Sequence, residues 1–273
     1  MRDLAGRRLA LVALFGISVA WAPAGAAPAA GDPKEIRTRA ERGDAGAAYQ
    51  LGLHYSAGPS SARDVGEALR WFRKAAEAGN APAMTELGHH YRLGRGVTVD
   101  GAEAVRWYRR AAKAGYGSAM FSLGLIHTVG QLVKRDHEEA LRWFHRGAEA
   151  GHASAMNSVG VMYSNGHGAP RDHAKALHWY RRAAEAGDSS GMVNLGAHLA
   201  TGRGAPTDYA EAMRWYLRAA EAGNATAMHN IGFMYSEGQS VARDEAEALR
   251  WYRRAADAGH EGSRSLLGRP VVE

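Results

Sequence analysis

Tryptophan recurs at positions 71, 107, 143, 179, 215 and 251, a spacing of 36 every time. The same register holds Asp64, Asp100, Asp136, Asp172, Asp208 and Asp244, and Ala68, Ala104, Ala140, Ala176, Ala212 and Ala248. Two glycine series keep step, one from Gly79 to Gly259 and one from Gly52 to Gly232. No insertion or deletion interrupts the six copies. A period of this length means that one supersecondary unit is stacked repeatedly, each copy burying the face its neighbour cannot bury alone.

Each copy reads as two helices. In the first, helix A, Pro82 to Leu93 places Met84, Leu87, Gly88 and Tyr91 at i, i+3, i+4 and i+7, one face of a 3.6-residue period. Pro82 suits the first turn, and Gly94 can end the helix in the left-handed conformation. Helix B runs from Asp100 to Ala114, with the aspartate as N-cap. A glutamate three residues later in five copies (Glu67, Glu103, Glu139, Glu211, Glu247) predicts a reciprocal capping box. Ala104, Val105, Trp107, Tyr108, Ala111 and Ala112 make an apolar face wide enough to be sandwiched between neighbours. Gly88 disfavours its helix by up to about 1 kcal/mol relative to Ala. A close helix crossing, with the ring at the Tyr108 position over the gap, is the expected compensation.

Units such as NATAMHNIGFMYSEGQSVARDEAEALRWYRRAADAG closely resemble the Sel-one-like repeat (SLR), a relative of the tetratricopeptide repeat. The resemblance rests on A-M-x-x-L-G-x-x-Y-x-x-G followed by D-x-x-x-A-x-x-W-Y/F-x-x-A-A-x-A-G. It implies an all-α, right-handed superhelical solenoid of six 36-residue helix-turn-helix repeats with half-repeat caps. Residues 44–259 hold the repeats. Residues 27–43 read as a linker and N-terminal capping half-repeat, and residues 260–273 as a C-terminal cap and tail. The cysteine-rich branch of this family staples each helix pair with a disulfide; this chain has no cysteine.

Residues 1–26 read as a secretory signal peptide. Arg2, Arg7 and Arg8 precede the apolar run Leu9 to Ala22, and small residues offer cleavage after Ala24 or Ala26. The run is shorter than the ~20 residues of a spanning helix. The expectation is an exported protein, periplasmic or secreted, with no stable membrane insertion after cleavage. The net charge of +6 falls to +4 without these residues, which carry three Arg and one Asp. That excess permits an anionic envelope glycan as partner, and export argues against nucleic acid.

Several residues invite a chemical reading. GDSSG at 187–191 satisfies G-x-S-x-G, yet the register puts Ser189 in the turn between two helices, with no strand to form a nucleophile elbow. Gly191 stands where the other units have alanine and predicts a softened helix start. The family resemblance brings in penicillin binding and β-lactam hydrolysis, so a cell-wall-related or β-lactam-binding enzyme is the alternative reading. None of the five lysines follows a serine by three residues, and S-D-N and K-T-G are absent. No catalytic constellation is recognisable. The thirteen histidines, among them His54, His89, His90, His137, His173, His198 and His229, read as scattered surface residues, without HExxH or cysteine partners. No metal or cofactor is expected. Met84, Met120, Met156, Met192 and Met228 fall on the core stripe. Arg70, Arg106, Arg142, Arg214 and Arg250, with the companion row Lys74, Arg110, Arg146, Arg182, Arg218 and Arg254, read as a solvated face laced with acids. An anionic glycan bound along this ladder is the second alternative.

By resemblance to tetratricopeptide solenoids, helix A lines a concave groove. The positions beside its core stripe are Tyr49-Leu53-Ser56, Thr85-His89-Arg92, Phe121-Leu125-Thr128, Asn157-Val161-Ser164, Val193-Ala197-Ala200 and His229-Phe233-Ser236. They vary between copies while the framework does not. Exposed Tyr49, Leu53, Phe121, Leu125, Val161 and Phe233, with His89, Asn157 and His229 among them, predict a stripe that binds a peptide segment of a partner protein. The function expected is a non-enzymatic scaffold or adaptor of the bacterial cell envelope.

Overall fold

The computed structural model describes residues 33–57, 64–130 and 132–268. The expected signal segment lies outside them. The described residues form fourteen α-helices and no strand. The A helices are α2 (Ala45–Ala57), α4 (Ala81–Leu93), α6 (Gly117–Val129), α8 (Ala153–Asn165), α10 (Ser189–Thr201) and α12 (Ala225–Glu237). The B helices are α3 (Val65–Glu77), α5 (Gly101–Lys113), α7 (His137–Glu149), α9 (His173–Glu185), α11 (Tyr209–Glu221) and α13 (Glu245–Asp257). Helices α1 (Pro33–Glu41) and α14 (Glu261–Leu267) close the two ends. Each A helix packs most extensively on its own B helix, and each B helix on the next A helix. Consecutive A helices also meet, α2 with α4, α6 with α8 and α8 with α10, whereas consecutive B helices make no comparable contact. The A helices are therefore the inner row of the array.

The glycine in each A helix marks the crossing predicted for it. A methyl group built on Gly88 would lie 2.5 Å from the ring of Tyr108, which is fully buried. The same crossing pairs Gly52 with Phe72, Gly124 with Phe144, Gly160 with Tyr180, Gly196 with Tyr216 and Gly232 with Tyr252. Six aromatic rings thus lie against six glycines and set the spacing between A and B. The five methionines of the stripe are buried beside them.

The capping aspartates act on both helices of a unit. Asp100 Oδ1 accepts from the amide of Glu103 at 2.9 Å, which caps α5. Its own amide donates to Tyr91 O at 2.9 Å, which ties the loop back to α4. Because that N–H is already bonded, the reciprocal half of the predicted capping box is not made. The glutamates turn outward: Glu67, Glu103, Glu139 and Glu247 accept from Arg70, Arg106, Arg142 and Arg250 three residues on. Glu67 and Glu211 also accept the indole N–H of Trp71 and Trp215. The companion arginines lie over tryptophan faces of their own helices, Arg110 over Trp107 at 4.4 Å and Arg254 over Trp251 at 4.1 Å. Apart from Arg214, both rows are held by partners within the chain.

Candidate functional site

The inner row is where residues vary on a constant frame, and the structure sorts its members. Leu53 is buried (7 % exposed), as are Thr85 and Thr128, so these three are core and not groove lining. Their helices are covered on that side by the neighbouring inner helices, which the spacing within one helix does not reveal. Tyr49, Phe121, Leu125, Val161, Val193 and Phe233 remain half-buried along the row. Tyr49 leans on Phe72 at 6.0 Å, and Phe121 lies between Phe144 at 5.8 Å and the stacked imidazole of His152 at 5.0 Å.

The polar members of the row are bonded from one inner helix to the next. Asn194 Nδ2 donates to Asn157 Oδ1 at 2.8 Å, and Ser154 Oγ to Asp188 Oδ2 at 2.8 Å. Ser164 Oγ meets His198 Nε2 at 3.2 Å, and His229 Nδ1 meets Ser263 Oγ at 2.9 Å. These bonds join residues 34 to 37 apart. The helical period alone did not expose this ladder; a search for polar residues one repeat apart on the A face would have found it.

The histidines are not the scattered surface groups the sequence suggests. His90, His127 and His198 are buried, and His137 stacks on His167 at 4.8 Å. His89 bonds through Nδ1 to the Tyr108 hydroxyl at 2.8 Å, and burial pushes its pKa down to about 3. Burial, joined by the neighbouring His260 ring at 4.3 Å, lowers His229 to about 4. Burial also lowers His198 to about 4, against a weaker opposing bond to Asn194 O. These are neutral packing groups near neutrality. Among the described residues no three His, Cys, Asp or Glu side chains gather closely enough to hold a metal ion.

Ser189 is the first residue of α10, and its hydroxyl accepts from Asn224 Nδ2 at 3.3 Å. The N-cap is Asp188, whose Oδ1 accepts from Gly191 N at 2.7 Å. Gly191 does more than soften a helix start. A methyl group there would meet Ala183 Cβ at 2.7 Å, so its absence lets α10 seat closely on α9. No described helix is long and apolar enough to cross a membrane.

The Sel1 repeat profile matches six consecutive segments without a gap, residues 45–80, 81–116, 117–152, 153–188, 189–224 and 225–260. The chain belongs to the Sel1 repeat family. Proteins built from this repeat generally serve as protein-interaction scaffolds and not as enzymes. A Sel1 repeat protein from Oxalobacter formigenes is 32% identical, with a TM-score of 0.75 over 83% of this chain and 100% of that one. The c5321 protein of uropathogenic Escherichia coli, a protective antigen displaying an SLR fold, is 36% identical with a TM-score of 0.74. That match covers 86% of this chain and 50% of the antigen, so the chain spans half the antigen's length. The immunity protein Pa5087 of Pseudomonas aeruginosa shares the fold at 19% identity, with a TM-score of 0.54 over 80% of this chain and 83% of that one. No protein of curated function matches the chain.

Proposed function

We propose that this Sel1 repeat protein is an exported scaffold of the bacterial cell envelope that holds an extended or helical segment of a partner protein along its inner row. The observation that carries this reading is the half-exposed set Tyr49, Phe121, Leu125, Val161, Val193 and Phe233. These apolar side chains change identity from unit to unit on a frame that does not change. A row of rigidly held apolar positions suits a partner read by its side chains. The arginine-rich segment followed by an apolar run within residues 1–26 supports export. So does the likeness to a protective antigen, a protein that the host immune system meets.

The test is a crosslinked pull-down from the envelope fraction, comparing the wild type with a Leu125→Ala/Phe233→Ala variant. The reading expects a defined partner that the variant loses while its helicity is unchanged. An identical set of partners from both proteins would contradict it.

A further inference from the structure

A second register of hydrogen bonds joins some of the units, and in the second unit it leaves both of its polar groups unpaired. In two units the residue two positions after the tryptophan reaches the tyrosine hydroxyl 18 residues on. Arg73 Nη2 donates to Tyr91 at 3.1 Å, and His145 Nε2 meets Tyr163 at 3.3 Å. In the N-terminal cap Arg37 makes the same bond to Tyr55 at 2.6 Å. Arg109 is next in this series, and the residue 18 positions on is His127. An imidazole is shorter than a phenol, and the bond is not formed. Among the described residues the Arg109 guanidinium has no hydrogen bond or ion pair. Both ring nitrogens of His127 are buried without a partner, on a residue only 9% exposed. A buried polar group left in this state disfavours the fold unless something binds it.

The break coincides with a cleft of about 790 Å³ lined by Arg109, His127, Lys134 and Arg135, with Asp136 and Glu138 at its side. The two acids are already engaged: Asp136 Oδ1 accepts from Glu139 N at 2.9 Å, and Glu138 faces Arg142 at 3.9 Å. The three cations have no carboxylate partner among the described residues. Lys134 is also peculiar to this unit, since the equivalent positions are Ala62, Thr98, Pro170, Pro206 and Ala242.

We propose that this cleft binds an anionic phosphate or sulfate group carried on a small molecule such as a sugar. Arg109, Lys134 and Arg135 supply the charge, and His127 presents a ring N–H from the floor. A guanidinium matches two oxygens of such a group at once, and its bonds to an anion are roughly twice as strong as neutral ones. The volume suits a sugar-sized ligand. The site is independent of the inner-row reading.

The test is calorimetric titration of the full chain with inorganic phosphate, inorganic sulfate, glucose 6-phosphate and glucose. Saturable binding of phosphate and glucose 6-phosphate, without binding of glucose, is expected. Sulfate equal to phosphate assigns the site to oxyanions as a class, and phosphate stronger than sulfate assigns it to phosphate esters. His127→Tyr gives Arg109 the phenol that its counterparts use, so it should weaken phosphate about tenfold or more while leaving the melting temperature unchanged or higher. Arg109→Gln should weaken it similarly. The Leu125→Ala/Phe233→Ala variant should bind phosphate normally, which keeps the two readings separable. No saturable binding of any oxyanion, equal binding of glucose, or undiminished binding by His127→Tyr would overturn the proposal.

Discussion

Leu132, in the loop of the third unit, packs on Gly101, the first residue of the preceding B helix. A methyl group built on Gly101 would lie 3.0 Å from both Cβ and Cδ2 of Leu132. One unit earlier the sizes are reversed, with Gly96 in the loop against Val65 at the start of the B helix. The junction between successive units therefore keeps its total volume by exchanging a large residue for a small one across it. Gly101→Val should destabilise the protein by about 1–3 kcal/mol through overpacking. Adding Leu132→Gly reproduces the Val65–Gly96 arrangement and should recover much of the loss. Urea unfolding of the two single variants and the double variant measures this as a coupling energy; strictly additive losses would refute the exchange.

Gly88→Ala separates helix propensity from packing. Propensity alone predicts a gain of up to about 1 kcal/mol. The new methyl group would be driven into the Tyr108 ring, which is fully buried and held through its hydroxyl by His89, so it cannot swing away. The expected outcome is a net loss of about 1–3 kcal/mol. A higher melting temperature for Gly88→Ala would show that the crossing has slack.

Stability should fall as the solution is acidified below about pH 6.5, where histidines of the unfolded chain take up protons. Folded His198 and His229 resist protonation down to about pH 4, and His89 to about 3. Across that window the unfolded chain binds more protons than the folded one, so the stability conferred by neutral, packed imidazoles is present above the window and lost through it. His198→Gln removes one such group, which packs on Tyr180 and faces His173 and Arg203. Thermal melts between about pH 7 and pH 5 should show a shallower decline for this variant than for the wild type. Parallel declines would remove His198 from the account.

The sequence made legible what has a local or strictly periodic cause. The helix pairs, the aspartate caps and the ring over each mid-helix glycine all follow from spacing within one unit. What it concealed depends on contacts with another helix, of the same unit or of its neighbour. The Asp100 amide bonds back to Tyr91 O, so Glu103 is released to Arg106, and no capping motif encodes that choice. Leu53 lies at a groove position of its own helix but is buried by the packing around α2. His198 looks like a surface histidine until Tyr180 and Ser164 are brought beside it by the stacking of units. The arginines over tryptophan were accessible in principle, since Trp179 and Arg182 are i and i+3 on one helix with centroid distance 4.4 Å.

If partners are read on the inner row, a photoreactive amino acid placed at single positions will capture them there. It would be introduced at Val161 and Phe233 on the A helices, and at Leu217 on α11, which is 38% exposed. After irradiation in the producing cells, one common partner should be crosslinked from Val161 and Phe233 and absent from Leu217. The same partner crosslinked from Leu217, with none from the A helices, would contradict an inner-row interaction.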